Sequence, residues 1–359
     1  MNPVPAPYTA ATAATATPPR TVLVLGASGR LGAAAVAAFA EAGWRVLAQS
    51  RRPLHGLPPG VAAVRAGLDE HDAIADAARA LGGAAVLLHA VNPPYTRWTN
   101  ELLPAARAAL TLAGRLGSRF LLPDNVYAFG ESMPPVLDER TPLAPSTEKG
   151  RLRATLDAEV AAWAGAGAGR QAVSIRAGDF YGAGRGAWLD LVITKPLPQG
   201  RLVRPGPADV AHAFAYVPDL ARAFVAVASR PVDAAAAPHL RLGFAGHTLT
   251  LAQLLDEAEA AARTLGIVPP GTRIERRALP WPLLRAGGLV VPMWRELARM
   301  RYLWEVPHRI DGSALERFAG PLPTTPPAAA IRASLAELFL SSPRPAASGP
   351  VPSRSAAAS

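Results

Sequence analysis

The sequence contains no cysteine, which excludes disulfide staples, thiolate nucleophiles and cysteine-ligated zinc. Lysine is almost as scarce. Lys149 and Lys195 are the only two, in a chain that otherwise uses arginine for its positive charge. No apolar run approaches the roughly 18 to 20 residues needed to cross a bilayer. The stretch from Leu279 to Trp294 comes nearest, and Pro282, Arg285 and Pro292 interrupt it. The first residues, rich in Ala, Thr and Pro, lack the basic start and apolar stretch of a secretion signal. Residues 1–18 therefore read as a disordered tail, and the Ser/Pro/Ala-rich segment 341–359 reads the same way. A cytoplasmic protein is the default expectation. Acidic residues are outnumbered, 27 against 37 basic ones, for a net charge of +10. The arginines are dispersed and not interleaved with aromatics, so neither nucleic acid nor membrane is expected as a partner. An anionic small ligand is the better use of the excess charge.

What is present is a regular alternation. Short apolar runs at Thr21–Leu25, Arg45–Ala48, Val61–Val64, Ala84–His89, Phe120–Leu122 and Gln171–Arg176 read as strands. Helical patterns at Leu31–Ala42, Glu70–Leu81, Asn100–Leu116 and Thr147–Trp163 separate them, most closed by glycine. Apolar strands alternating with helices predict an α/β protein whose doubly wound parallel sheet is covered on both faces. That domain is expected over residues 19–178. A smaller C-terminal substrate lobe follows over 179–340, with segments returning to the first domain. One later helix is well marked, because Thr250 and Gln253 suit a capping box and Gly266 suits its end.

Between the first strand and the first helix stands Gly26-Ala27-Ser28-Gly29-Arg30-Leu31-Gly32. The first glycine permits a tight turn, the second lets a diphosphate approach the backbone, and the third lets helix and strand pack closely. The helix N-terminus then offers free N–H groups to the phosphates. Placement after a strand and before a helix is the confirming context for a Rossmann-type dinucleotide site. At the end of the second strand the chain reads Gln49-Ser50-Arg51-Arg52, without the acidic residue that would hold a ribose 2′-hydroxyl. Arg51 and Arg52, with Arg30 in the turn, favour a 2′-phosphate and hence NADP, with NAD as the alternative.

These residues resemble the extended short-chain dehydrogenase/reductases, in particular the NAD-dependent epimerase/dehydratases. Further segments carry the resemblance in the same order. Leu88-His89-Ala90 resembles the fourth-strand end that lies along the cofactor, and Asp69 falls where an acidic residue contacts the adenine. Asn125 to Gly130, Arg176 to Gly182 and Phe214 to Asp219 resemble three later segments of that family. The resemblance implies a cofactor set of Gly26 to Gly32, Arg51, Arg52, Asp69, His89, Ala90 and Lys149. It implies Tyr95, Asn125, Asp179 and Tyr181 on the substrate side.

The family's Tyr-x-x-x-Lys pair is only half present. Lys149 takes the lysine place, but Pro145 stands four residues before it, and Pro123 stands where a serine or threonine is usual. Residues four apart share a helix face, and no other Tyr-x-x-x-Lys exists, since Leu191 stands four before Lys195. Tyr127, Tyr95, Tyr181, Asp124 and His89 are the alternative acid/base candidates, with Lys149, Tyr127 and Asp124 as the catalytic set. His212, His247 and His308 are too dispersed to suggest a metal. Two readings stay open: an atypical NAD(P)-dependent oxidoreductase or epimerase/dehydratase-like enzyme acting on a small polar substrate, or a non-catalytic NADP(H)-binding regulator. A homodimer is compatible with both. Fluorescence titration checks the cofactor reading: NADPH should bind more tightly than NADH, and equal or reversed affinities would contradict the role given to Arg51 and Arg52.

Overall fold

Apolar residues on both sides of the central strands require cover above and below. In β1 (Thr21–Leu25) every residue is buried, with Val22 and Val24 facing one layer and Leu23 and Leu25 the other. The computed structural model describes residues 20–341 except 168, 234 and 235. The tails expected at 1–18 and 341–359 lie outside the described residues, apart from Ser341. With β2 (Arg45–Ser50), β3 (Val61–Arg65), β4 (Val86–His89) and β5 (Arg119–Asp124), β1 belongs to a seven-stranded sheet. The strands at Ala172–Arg176 and His239–Gly243 complete it. The order is His239–Gly243, Ala172–Arg176, β5, β4, β1, β2, β3, and every pairing is parallel.

Helix α1 (Arg30–Glu41) covers one face together with α5 (Val217–Ser229), through Val36, Phe39, Leu220 and Phe224. Helices α2 (His71–Ala80), α3 (Trp98–Leu116) and α4 (Glu148–Gly165) cover the other. The doubly wound parallel sheet is as expected. Its seventh strand was not foreseen, because His239-Leu240-Arg241-Leu242-Gly243 carries two polar residues in five and lacks an apolar run. The strand is placed by ladder bonds to Ala172–Arg176 and by Ser174 Oγ, 2.8 Å from His239 Nε2.

A second correction concerns β5, expected to stop at Leu122 before Pro123. It runs on to Asp124. The N–H of Phe120 donates to Gln171 and that of Arg119 to Ala85, so odd-numbered residues turn their N–H toward β4. Pairing with β4 ends at Leu121. The N–H that Pro123 lacks is therefore one the ladder never needed.

A second core lies beyond the sheet. Tyr181, Leu189, Ile193 and Leu202 pack there with α6 (Leu251–Thr264), α7 (Trp281–Gly287) and the C-terminal helix Pro327–Phe339. α6 starts with the expected capping box between Thr250 and Gln253. α8 (Pro292–Arg299) follows α7 and lies against the Tyr95–Arg97 turn after β4.

The crossover from β1 to α1 is fixed by two glycines. A Cβ on Gly32 would lie 2.1 Å from the Gly26 carbonyl oxygen, and Gly26 itself has φ +77° with Val91 Cγ2 2.9 Å from its absent Cβ. Gly32→Ala should destabilise the protein by about 1–3 kcal/mol through overpacking and weaken dinucleotide binding. Urea unfolding and nucleotide titration measure both, and an unchanged midpoint would mean the helix and turn do not meet so closely.

Candidate active site

α1 begins at Arg30 with Gly29 as its N-cap, no side chain caps it, and its first turn carries no acid. The amides of Ser28, Arg30, Leu31 and Gly32 find no acceptor among the described residues. Bare donors at a helix N-terminus, approached over glycine, fit a dinucleotide diphosphate. The turn is braced by Gln49, whose Oε1 accepts from the Gly26 N–H at 3.0 Å while its Nε2 donates to the Ala66 carbonyl at 2.6 Å. Ser50 Oγ accepts from the Arg52 N–H at 3.1 Å. Arg51 and Arg52 are exposed and have no ion-pair partner among the described residues. Arg30 instead spans the site, donating at 3.5 Å to the carbonyls of Gly182 and Gly186. Burial lowers its pKa, opposed by Asp190 and Asp179. Ala90 packs beneath Gly26, and Asp69 is exposed in the turn before α2.

His89 ends β4, fully buried against the Phe120 ring. Burial and the nearby Arg153 charge lower its pKa from 6.5 to about 4, so the imidazole is neutral near pH 7. Its Nδ1 has no partner among the described residues.

Thr147 caps α4 by accepting from the Gly150 N–H at 3.1 Å. Pro145 lies two residues outside that cap and is not on the helix. Lys149, on the first turn, is buried. Its Nζ donates to the Tyr95 carbonyl at 3.0 Å and to Glu296 Oε2 at 2.5 Å, and it lies 5.1 Å from the centroid of the Tyr95 ring. One turn on, Arg153 donates at 3.4 Å to the carbonyl of Pro123 and at 3.5 Å to Asn92 Oδ1, with its guanidinium 4.7 Å from the Trp98 ring. The hydroxyls of Tyr95 and Tyr127 hydrogen-bond each other. Burial, reinforced by Asp179, pushes the Tyr95 phenol up, and burial, then Tyr95 and Asp179, pushes that of Tyr127 up as well.

Asp179 faces the same space and places Oδ2 3.1 Å from His212 Nε2. His212 Nδ1 is 3.0 Å from the Leu303 carbonyl, which can only accept, so Nδ1 carries a proton. Nε2 is thus the ring nitrogen that faces the Asp179 carboxyl. The His212 ring is locked in place by stacking on Trp304, with centroids 4.3 Å apart and planes within 7°.

The remaining expected residues have other engagements. Asn125 Oδ1 accepts from the Tyr127 N–H at 3.0 Å and shapes that turn. Tyr181 is buried and its hydroxyl lies 2.7 Å from His247 Nδ1, while His247 Nε2 lies 2.7 Å from the Thr325 carbonyl. Since the carbonyl accepts, Nε2 holds the ring proton and the Tyr181 hydroxyl is used up as donor to Nδ1. Asp124 is buried between guanidinium groups, accepting from Arg176 Nε at 3.2 Å with Arg153 at 3.8 Å. Arg176 also donates to Asp157, which Arg241 holds at 2.8 Å. Burial opposes ionisation of Asp157, but the Arg241 hydrogen bonds and the Arg176 charge prevail and lower its pKa.

The structure thus brings Lys149, Tyr95, Tyr127 and Asp179 together beside the glycine turn. It holds Tyr181 and Asp124 in separate hydrogen-bonded networks. Sequence reading passed over Arg153 and Glu296 and weighed His212 only as a metal ligand. Arg153 could have been found, because it lies four residues after Lys149 on the same face. Glu296 and His212 are brought in by the tertiary fold, without a local pattern.

The sequence model of the NAD dependent epimerase/dehydratase family matches residues 22–243, and the chain belongs to that family. No curated protein matches it in sequence. Among solved structures, a UDP-galactose 4-epimerase is similar at 20% identity and TM-score 0.64, covering 89% of this chain and 98% of that one. MoeE5 in complex with UDP-glucuronic acid and NAD is similar at 17% identity and TM-score 0.65, covering 88% and 97%. An L-threonine dehydrogenase from Clostridium difficile aligns at 14% identity and TM-score 0.67, covering 90% and 99%. At these identities the likeness is one of fold.

The buried ion pair generates an asymmetric expectation. Glu296 keeps Arg299 at 3.3 Å if Lys149 is lost, whereas Lys149 has no second carboxylate among the described residues. Glu296→Leu should therefore cost about 3 kcal/mol, Lys149→Met less than half of that, and the double variant should recover most of the loss. Chemical denaturation of the three variants reads this, and equal costs for the two single variants would refute it.

Proposed function

We propose that the protein is an NAD(P)-dependent oxidoreductase or epimerase/dehydratase-like enzyme of atypical type, acting on a small polar substrate bound between the sheet and a lobe formed by residues 179–340. NADP is the favoured cofactor, on the strength of the unpaired Arg51 and Arg52 and the absence of a carboxylate at the end of β2. The observation that carries the reading is the Tyr95–Tyr127 hydroxyl pair beside Lys149, reached from the glycine turn. A bound nicotinamide supplies or accepts the hydride. The proton is the chain's task, and Pro145 cannot perform it.

In this proposal Tyr127 holds the transferable proton. Its raised pKa keeps the phenol protonated near neutral pH, so in the resting site it is a hydrogen-bond donor to a substrate oxygen and not a base. As the proton leaves, the Tyr95 hydroxyl donates to the new phenolate. The ammonium of Lys149 lies on the same side and stabilises that charge more strongly once Glu296 no longer neutralises it. The Asp179–His212 pair faces the same space and is the route by which a proton from solvent returns to the phenolate. Arg153 and Asn92 hold the β4 and β5 loops at fixed spacing, through the Pro123 carbonyl.

Tyr127→Phe should lower the turnover of a responsive carbonyl or alcohol substrate by about 100-fold or more while leaving NADPH affinity within about threefold, because the phenol is remote from the phosphates. Substrate panels with NADP and NADPH, followed by nicotinamide absorbance, give the measurement. Full activity in the variant would remove Tyr127 from the chemistry. Tight binding with no turnover across the panel would favour the non-catalytic regulator.

A further inference from the structure

The α7–α8 hairpin carries an apolar surface that nothing in the proposed chemistry uses. At its tip, Leu289 and Val290 are 88% and 84% exposed, and Leu283, Val291, Met293 and Trp294 extend the patch along both helices. The patch runs into a groove of about 520 Å³ whose lining includes Leu191, Leu284, Trp294 and Leu297. Isolated exposed apolar residues are ordinary, but a contiguous group marks a surface that leaves water.

Charge decides which surface. Arg285 flanks the tip and has no acidic partner among the described residues, and Lys195 stands exposed at the groove without one. Arg295 reaches Glu296 only at 3.7 Å. Exposed aliphatic residues, a half-exposed tryptophan and the two cations Arg285 and Lys195, without an acidic partner among the described residues, match an anionic lipid surface, apolar inside and negative at the headgroups. A protein partner would have to offer a narrow apolar socket ringed by carboxylates. No helix among the described residues is long and apolar enough to cross a membrane, so the contact is one of surface docking.

We propose that the α7–α8 hairpin docks the protein on anionic bilayer surfaces by inserting Leu289 and Val290 below the headgroups, with Arg285, Arg295 and Lys195 on the lipid phosphates. The inference is independent of the proposed catalysis. Full-length protein is sedimented with vesicles of phosphatidylcholine alone and of phosphatidylcholine with about one-third phosphatidylglycerol. Binding to the second and not the first is expected, weakening as salt rises. The variant L289D/V290D should bind the anionic vesicles roughly tenfold less, with NADPH titration and thermal melting unchanged because both residues are exposed. R285E/K195E should show a similar loss. Absence of vesicle binding by the parent protein overturns the proposal. So does binding that both variants retain, which would place the contact elsewhere. Self-association seen by light scattering and abolished by L289D/V290D, without vesicle binding, would make the occupant a second copy and overturn it equally.

Discussion

The carbonyl oxygen of Gly26 sits where a side chain on Gly32 would be, and the geometry of the site follows from that contact. It lets α1 leave β1 at close range, with its first amides uncapped. Gln49 braces the turn against β2 and the segment after β3, so the amides are held by three strands at once. An anion placed there meets aligned dipoles already oriented for it. The remaining functional groups, from the loops after β4 and β5 and from the start of α4, converge at the same carboxyl edge of the sheet, which is where open parallel sheets bind their ligands.

The electrostatics on the far side of that edge define the candidate site. Its lysine is charge-paired, its two tyrosines are buried and neutral, and its one accessible carboxylate is tied to a histidine. Burial raises both phenols, and at Tyr95 the Arg153 and Arg30 charges oppose that rise. The partner of the lysine comes from α8, which brings Glu296 to Lys149. The buried network of Asp124, Arg176, Asp157 and Arg241 works differently. It fastens β5, α4 and the two strands beside them, so the Tyr127 turn stands on a rigid base.

Much of this was legible in the residues. The alternation of apolar strands and helices, the glycine turn and the lysine on α4 are local patterns, and local patterns survive in a single sequence. The edge strand His239–Gly243 was not legible, because its stability comes from pairing with Ala172–Arg176 and not from its own composition. Pro123 misled for a related reason: whether a proline breaks a strand depends on which neighbour its nitrogen faces. Tyr181 matched a site segment but its hydroxyl is committed to His247, a partner far away in sequence. Glu296 is 147 residues from Lys149, and pairs at that separation leave no periodic trace.

The account rests on the diphosphate site at the start of α1, and a crystal structure of the protein grown with NADP tests it most directly. The expected result is nucleotide diphosphate on the amides of Ser28, Arg30 and Leu31, the 2′-phosphate between Arg51 and Arg52, and Lys149 released from Glu296. Nucleotide bound elsewhere, or those amides left in water at saturating NADP, would contradict it.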